Sequence, residues 1–340
     1  MNRYSWKWYL SDLAPDKDLK VFTTFSCGGG SSMGYKRAGF QVIGNVEIDP
    51  KINAMYVANN HPKYNYCMDL RDFNKLPELP DELFGIDILD GSPPCTTFSS
   101  CGRREETWGK KKKFAEGQAE QTLDDLFFVF LDTVERLQPK VVIAENVVGM
   151  VKGNAKGYIN LIVKRFHELG YDVQMFNLNA AVMDVPQARH RIFFLANNQN
   201  YGKIRLNFNF DPIKFGEVRS EHGKPFPESV KVVSAIVRAA TINDRDCRMA
   251  ADRIAGVKTS FYTAKIMHDD LVVPTITSNG DMARFCDKML MSDEDFVNVQ
   301  SFPQDYDFCG NDVQYVCGMS VPPNMMANIA TEVYDQWLAK

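Results

Sequence analysis

The chain predicts an α/β fold built on a mainly parallel sheet, and three features carry that expectation. Apolar runs of strand length alternate with amphipathic stretches of helix length from Leu19 to about Asn197, the rhythm of a sheet covered by helices on both faces. A glycine-rich turn, Cys27-Gly28-Gly29-Gly30, separates the first strand from the first helix. The residues best suited to chemistry fall at the carboxyl ends of strands, where open sheets of this kind present ligands.

In chain order, LKVFTTF reads as a strand followed by the helix SMGYKRAG, and FQVIGNVEI as a strand followed by PKINAMYVANN. A short third strand precedes CMDL; IDILD is followed by the long apolar-faced LDDLFFVFLDTVERL, and KVVIAEN by YINLIVKRFHEL, before the last strands YDVQMFNL and RIFFLA. Beyond Asn198 the rhythm dissolves into a polar stretch with Gly and Pro, then a region rich in Arg and Asp. From Met289 helical spacing returns, and GMSVPPNMMANIATEVYDQWLAK reads as a turn and an amphipathic helix opened by prolines. The expected division is therefore a main domain of residues 1–197 and 286–340 and a small lobe of residues 198–285.

With 340 residues, 45% of them hydrophobic and 24% charged, the chain suffices for one large core and a smaller lobe. No apolar run reaches the ~18 residues of a membrane span, and the N-terminus lacks a secretory layout; a cytoplasmic protein is expected. The eight cysteines form no Cys-x-x-Cys pair and the five histidines no His-Glu-x-x-His helix, so free thiols and no metal are expected. A net charge of −4 argues against nonspecific coating of nucleic acid and leaves a local basic cleft open.

Three glycines in a strand-to-helix turn let backbone amides approach a ligand, or merely make a tight bend. Glu47, ending the second strand, stands where this fold offers a carboxylate to ribose hydroxyls; its alternative role, a helix cap, fits Asp49 before Pro50 better. Asp69 is a candidate for an adenine amine or a solvated carboxylate. Cys95 follows the fourth strand behind Pro93 and Pro94, which stiffen its backbone; a thiol so presented suits a nucleophile, although most cysteines are inert. Glu145 leaves an apolar fifth strand at the same edge, as partner or as cap of the next helix. Arg189 and Arg191, two apart at a strand entrance, suit an anion or the polar edge of a base, or else lie solvated.

Taken in order, FSCGGG, VEIDP, GSPPCTTFS, AENV, QARHR and GMSVPP resemble the ordered motifs of the cytosine-5 DNA methyltransferase family, and PTITSNG and VQSFPQDY resemble the block between the last two. The resemblance spans about residues 20–197 and 272–335 and implies a Rossmann-like S-adenosyl-methionine-dependent methyltransferase whose lobe 198–285 recognises the target. It implies that Cys95 attacks C6 of a cytosine in a specific short sequence of double-stranded DNA while Glu145 contacts N3 and the exocyclic amine. Arg189 and Arg191 would hold the O2 side and support the loop carrying Cys95. Toward S-adenosyl-methionine it implies Phe25 near the adenine, Gly28, Gly29 and Gly30 around the methionine part, Glu47 at the ribose, Asp69 at the adenine amine and backbone contact from Leu126. Ser26, Ile48, Leu70, Pro94, Ser320 and Val321 are implied as further cofactor contacts. The target base must be swung out of the duplex, and Ser99, Arg103, Arg104 and Lys110, in the loop from Ser99 to Glu120, are expected to touch DNA.

Two positions depart from the pattern. Cys27 stands where glycine is usual, with Gly28 expected to take over the tight turn, and Met319 stands where asparagine is common. The role implied is that of a restriction-modification, phage or orphan bacterial enzyme, monomeric, with any cognate endonuclease acting separately. Two rivals stay open: a tRNA cytosine-5 methyltransferase, which shares the Pro-Pro-Cys form but carries a Cys-Phe-Thr absent from this lobe, and a catalytically idle DNA-binding relative, against which Cys95, Glu145, Arg189 and Arg191 speak.

Overall fold

Seven strands form the main sheet of the computed structural model, which describes residues 3–94, 126–151, 156–259 and 264–339. Contacts divide the chain into two units, one of Ser11–Asn179, His190–Asn207 and Met325–Lys340, the other of Met1–Leu10, Ala180–Arg189 and Phe208–Asn324. The first contains β1 (Lys20–Thr24), α1 (Gly30–Arg37), β2 (Gln41–Glu47), α2 (Pro50–Asn60), β3 (Tyr64–Cys67), α3 (Leu70–Phe73) and β4 (Ile88–Gly91). It continues with α4 (Leu126–Leu137), β5 (Val141–Val147), α5 (Lys156–Glu168) and β6 (Asp172–Asn179); after the two-residue β7 (Gln187–Ala188), which belongs to the other unit, comes β8 (His190–Asn197).

The strand order is β3-β2-β1-β4-β5-β8-β6. β1 to β5 run parallel, and β8 alone is antiparallel, inserted between β5 and β6. The expected α/β fold with a mainly parallel sheet is thus present. Strand order reverses between β1 and β4, so a crevice beyond their carboxyl ends is the natural ligand position.

The two faces of this sheet are unlike. Phe22, Leu89, Val142 and Ala144 point into a continuous apolar core with Phe127, Phe130, Val134 and Leu137 of α4, whose spacing of three and four residues makes one helical stripe. The other face is polar: Thr23 lies 3.4 Å from both the Ser32 and Tyr56 hydroxyls, which are 2.8 Å apart, and the Tyr35 hydroxyl donates to Asp90 Oδ1 at 3.0 Å. Asp49 caps α2, its Oδ1 accepting from the N–H groups of Lys51 (2.8 Å) and Ile52 (3.2 Å), with Pro50 opening the helix.

The second unit holds α6 (Phe215–Val218), α7 (Lys231–Ala239), α8 (Cys247–Ala255), β9 (Lys265–Met267), β10 (Val273–Pro274), β11 (Met282–Arg284), α9 (Asp293–Val299) and α10 (Val313–Met319). β9 pairs with β11 and β10 with β7, both in parallel. Val237, Cys247, Ala250, Ile266 and Ala283 make a small apolar core. Fully buried Arg284 lies 3.2 Å from the equally buried Asp295, a pairing that offsets the cost of removing both charges from water. This unit is wider than the lobe read from composition. It takes in Trp8, whose indole N–H donates to the Ser301 carbonyl at 2.9 Å, and Asn324, whose amide donates to the Asp184 carbonyl at 2.7 Å. The C-terminal α11 (Pro323–Val333) is the proline-opened helix expected from the sequence. No helix among the described residues is long and apolar enough to cross a membrane.

Candidate active site

The β1–α1 turn is built around a buried carboxylate. Gly29 donates its N–H to the Ser26 carbonyl at 2.8 Å, and Cys27 donates its N–H to Glu47 Oε2 at 2.8 Å. The other oxygen, Glu47 Oε1, accepts from the Asp49 N–H at 3.1 Å. Burial pushes the Glu47 carboxyl above the ordinary range, and the backbone N–H groups of Asp49, Cys27 and Ile48 pull it back. The tight turn does not pass to Gly28 as expected: Cys27 itself adopts φ +44°, Phe25 +53° and Gly29 +76°. Left-handed geometry at Phe25 and Cys27 is a local strain that bulky residues rarely adopt. Gly29 is obligatory on space as well, since a Cβ there would lie 2.4 Å from the Asn60 amide nitrogen.

Ser26 is tied to β2 by the Asn45 amide, which donates to its Oγ at 3.2 Å. Phe25 and Ile48 are half-buried beside the turn. Asp69 caps α3, its Oδ1 accepting from the Arg71 N–H at 2.8 Å, and its Oδ2 lies 3.2 Å from the Arg71 guanidinium. Leu70 and Leu126 are buried, and Pro94 half-buried.

On the β4 side, the strand end passes so close to α4 that a Cβ on Gly91 would lie 2.5 Å from the Phe130 ring and 2.7 Å from Thr24 Oγ1. Asn146 of β5 donates its side-chain amide to the Pro93 carbonyl at 3.1 Å, fixing the backbone two residues before Cys95. Its neighbour Glu145 is nearly buried, and Arg191 of β8 places Nε 2.7 Å from Glu145 Oε1. The pair is an ion contact at hydrogen-bond distance whose N–H does not aim at the oxygen, because Oε1 is buried without a geometrically aligned donor. Cys95 and the residues expected at DNA, Ser99, Arg103, Arg104 and Lys110, lie outside the described residues.

In the other unit Arg189, almost fully buried, donates to the Gly318 carbonyl at 3.1 Å. Gln187 donates to the Gln300 side chain at 2.6 Å, and Gln300 donates on to the Ser320 carbonyl at 2.7 Å. QARHR and GMSV are thereby held together: Ser320 and Val321 are buried, and Met319 is exposed. A side chain on Gly318 would strike the Thr277–Ser278 backbone at about 2.5 Å. The two arginines therefore serve different partners, Arg191 the Glu145 carboxylate and Arg189 the C-terminal end of α10 at Gly318. Sequence reasoning passed over Asn146, Asp90 and Tyr35. Asn146 could have been found as the polar residue beside Glu145 in a strand otherwise apolar.

The description C-5 cytosine-specific DNA methylase attaches to the family model that matches residues 19–239. Among curated proteins the chain is 36% identical to the Type II methyltransferase M.Sau96I of Staphylococcus aureus over 57% of its length, and 26% identical to M1.HphI of Haemophilus parahaemolyticus over 97%. The first match covers 43% of the S. aureus protein, so the chain spans under half of that relative; the second covers 91% of its counterpart. Among solved structures, a DNMT2 mutant from Spodoptera frugiperda superposes over 93% of this chain and 100% of its own, with a TM-score of 0.64 and 16% identity. That likeness establishes a shared fold.

Proposed function

The chain belongs to the C-5 cytosine-specific DNA methylases, and from that premise we propose that it transfers a methyl group from S-adenosyl-methionine to C5 of cytosine in a short specific sequence of double-stranded DNA. The observation that carries this reading is the Glu145 carboxylate, held by Arg191 at 2.7 Å on the strand whose Asn146 fixes the backbone leading to Cys95.

The residues at the β1–β2 edge fit the cofactor. Three backbone N–H groups, of Cys27, Asp49 and Ile48, bond the Glu47 carboxylate, whose about four lone-pair sites leave room for one ribose hydroxyl. Phe25, Ile48 and Leu70 are proposed to supply apolar area beside the glycine turn. Ser26, Gly28, Gly30, Asp69, Pro94, Leu126, Ser320 and Val321 are the further residues proposed to hold it. Bound there, S-adenosyl-methionine supplies an electrophilic methyl group.

Cys95 forms a bond to C6 of a cytosine swung out of the duplex, an extrusion costing a few kcal/mol. Glu145 faces N3 and the exocyclic amine and, as the carboxylic acid, gives N3 a proton as the attack sends negative charge into the ring, the stage at which stabilisation raises the rate. Arg191 fixes the Glu145 carboxylate and Arg189 braces the end of α10 at Gly318. After C5 has taken the methyl group, loss of its proton and departure of the Cys95 sulfur restore the aromatic ring.

The lobe 198–285 is assigned to target recognition and Ser99, Arg103, Arg104 and Lys110 to DNA contact. A monomer of the bacterial cytoplasm or of a phage-infected cell, with or without a separately acting endonuclease, fits this reading. Bisulfite sequencing of plasmid DNA from a methylation-free host tests it. Protected cytosines in one short motif, absent with Cys95→Ala, are expected. An unprotected plasmid with the native chain would overturn the DNA reading and favour tRNA methylation or an idle binding protein.

A further inference from the structure

Two fully buried glutamines of the second unit, Gln187 of β7 and Gln300 at the end of α9, have no part in the mechanism above. Ile276 donates its N–H to Gln187 Oε1 at 3.1 Å, Gln187 Nε2 donates to Gln300 Oε1 at 2.6 Å, and Gln300 Nε2 donates to the Ser320 carbonyl at 2.7 Å. A backbone N–H can only donate and a carbonyl can only accept. The two ends of this relay therefore fix the direction of both amides, and neither amide can turn over without breaking a bond on each of its sides. Amides aligned head to tail in a dry interior strengthen one another.

A second link joins the same two segments. Arg189 Nη1 donates to the Gly318 carbonyl at 3.1 Å, and the Ala188 carbonyl between the two side chains accepts from Thr275 Oγ1 at 2.9 Å. Two carbonyls at the end of α10 are thus held from residues 187–189, Gly318 directly and Ser320 through Gln300. Gly318 is hemmed in on its own side, since a Cβ there would lie 2.5 Å from the Ser278 nitrogen. A displacement of the Ser320 carbonyl must stretch the relay or carry Gln187 with it.

We propose that Gln187 and Gln300 are positioning residues that couple the cofactor end of this unit, at Ser320 and Val321, to its base end, at Arg189, so that S-adenosyl-methionine and DNA each tighten the binding of the other. The inference rests on the methyl-transfer reading, which assigns those residues to the two ligands. The physical ground is entropic. Whichever ligand arrives first orders its own end, the relay orders the other end with it, and the second ligand meets residues already arranged. Such coupling is reciprocal by linkage.

Calorimetry of S-adenosyl-homocysteine binding to the whole chain, with and without a short unmethylated duplex carrying the motif that bisulfite sequencing finds protected, reads the coupling as a ratio of dissociation constants. The native chain should show a ratio of about ten. Gln300→Met, which keeps an unbranched side chain of similar length and makes neither bond, should bring the ratio below about two. Gln187→Glu should do the same although its carboxylate still accepts from Ile276, because two acceptors would then face one another. Ser292→Ala is the control: it removes the cap of α9 in the same unit, outside the relay, and should lower the melting temperature while leaving the ratio at its native value. A native ratio indistinguishable from unity, a Gln300→Met ratio equal to the native one, or an equal fall in Ser292→Ala overturns the proposal while the methyl-transfer reading stands. An unprotected plasmid, or a native chain that binds no S-adenosyl-homocysteine, sinks that reading and the coupling with it.

Discussion

Replacing Asp90 by asparagine should make the protein more stable, and only above a certain pH. The asparagine amide would keep an oxygen for the Tyr35 hydroxyl and remove the charge. The native carboxyl is pushed from 3.8 to about 7 by burial, a rise of about three units; at ~1.4 kcal/mol per unit this amounts to on the order of 4 kcal/mol. The sign follows from proton counting. Between the two values the folded chain binds a proton that the unfolded chain has released, so stability falls as pH rises. The contribution is fully present below ~4, the unfolded-state value, and is lost as pH climbs through about 7. Urea denaturation of both proteins over a pH series is the assay. The curves should meet at the acid end, diverge by up to ~1.4 kcal/mol per unit and run parallel above neutrality with the variant ahead. Curves parallel throughout would show that Asp90 is ionised at no cost, and burial would not be what governs its charge.

Four further outcomes are expected. Arg191→Ala should cost about 3 kcal/mol in urea melts, since it strands a nearly buried carboxylate, and lower single-turnover methylation by roughly 100-fold; Arg191→Lys should restore part of both. Gly91→Ala should cost ~1–3 kcal/mol of stability, because its methyl group would collide with Phe130. Glu47→Gln should weaken S-adenosyl-methionine binding about tenfold by calorimetry, a loss in the range of one hydrogen bond to a charged group. Met319→Asn should tighten that binding, and an unchanged dissociation constant would show that the exposed Met319 is neutral toward the cofactor.

The elements were legible where local rules act alone. α2 begins at Pro50 because Asp49 caps it, and both signals lie within three residues. The strands from LKVFTTF to RIFFLA were visible as apolar runs, although apolarity carries no direction, and the antiparallel insertion of β8 between β5 and β6 was not readable from it. The turn geometry was misread at Gly28 because the permissive residue is not always the one used. Here Cys27, whose N–H bonds the Glu47 carboxylate, is the residue that lies in the left-handed region. Asp90 was hidden for another reason. Its donor Tyr35 is 55 residues away in sequence and on a helix, so only the assembled sheet brings them together. Composition likewise marks where a lobe begins, while bonds such as Trp8 to Ser301 decide which distant segments join it.

The unequal faces of the sheet bear on how such a chain can change over time. Behind Phe22, Leu89 and Val142, a substitution succeeds if volume is kept, since apolar neighbours repack at modest cost. On the face of Thr23, Ser32, Tyr35, Tyr56 and Asp90, each donor needs an acceptor, and a replacement that removes one of the two leaves its buried partner unsatisfied. Drift should therefore be piecemeal on one side and concerted on the other, with hydroxyl and carboxyl positions exchanging as sets. A homologue whose counterpart of Asp90 lacks an acceptor oxygen should have lost the hydroxyl of Tyr35 as well.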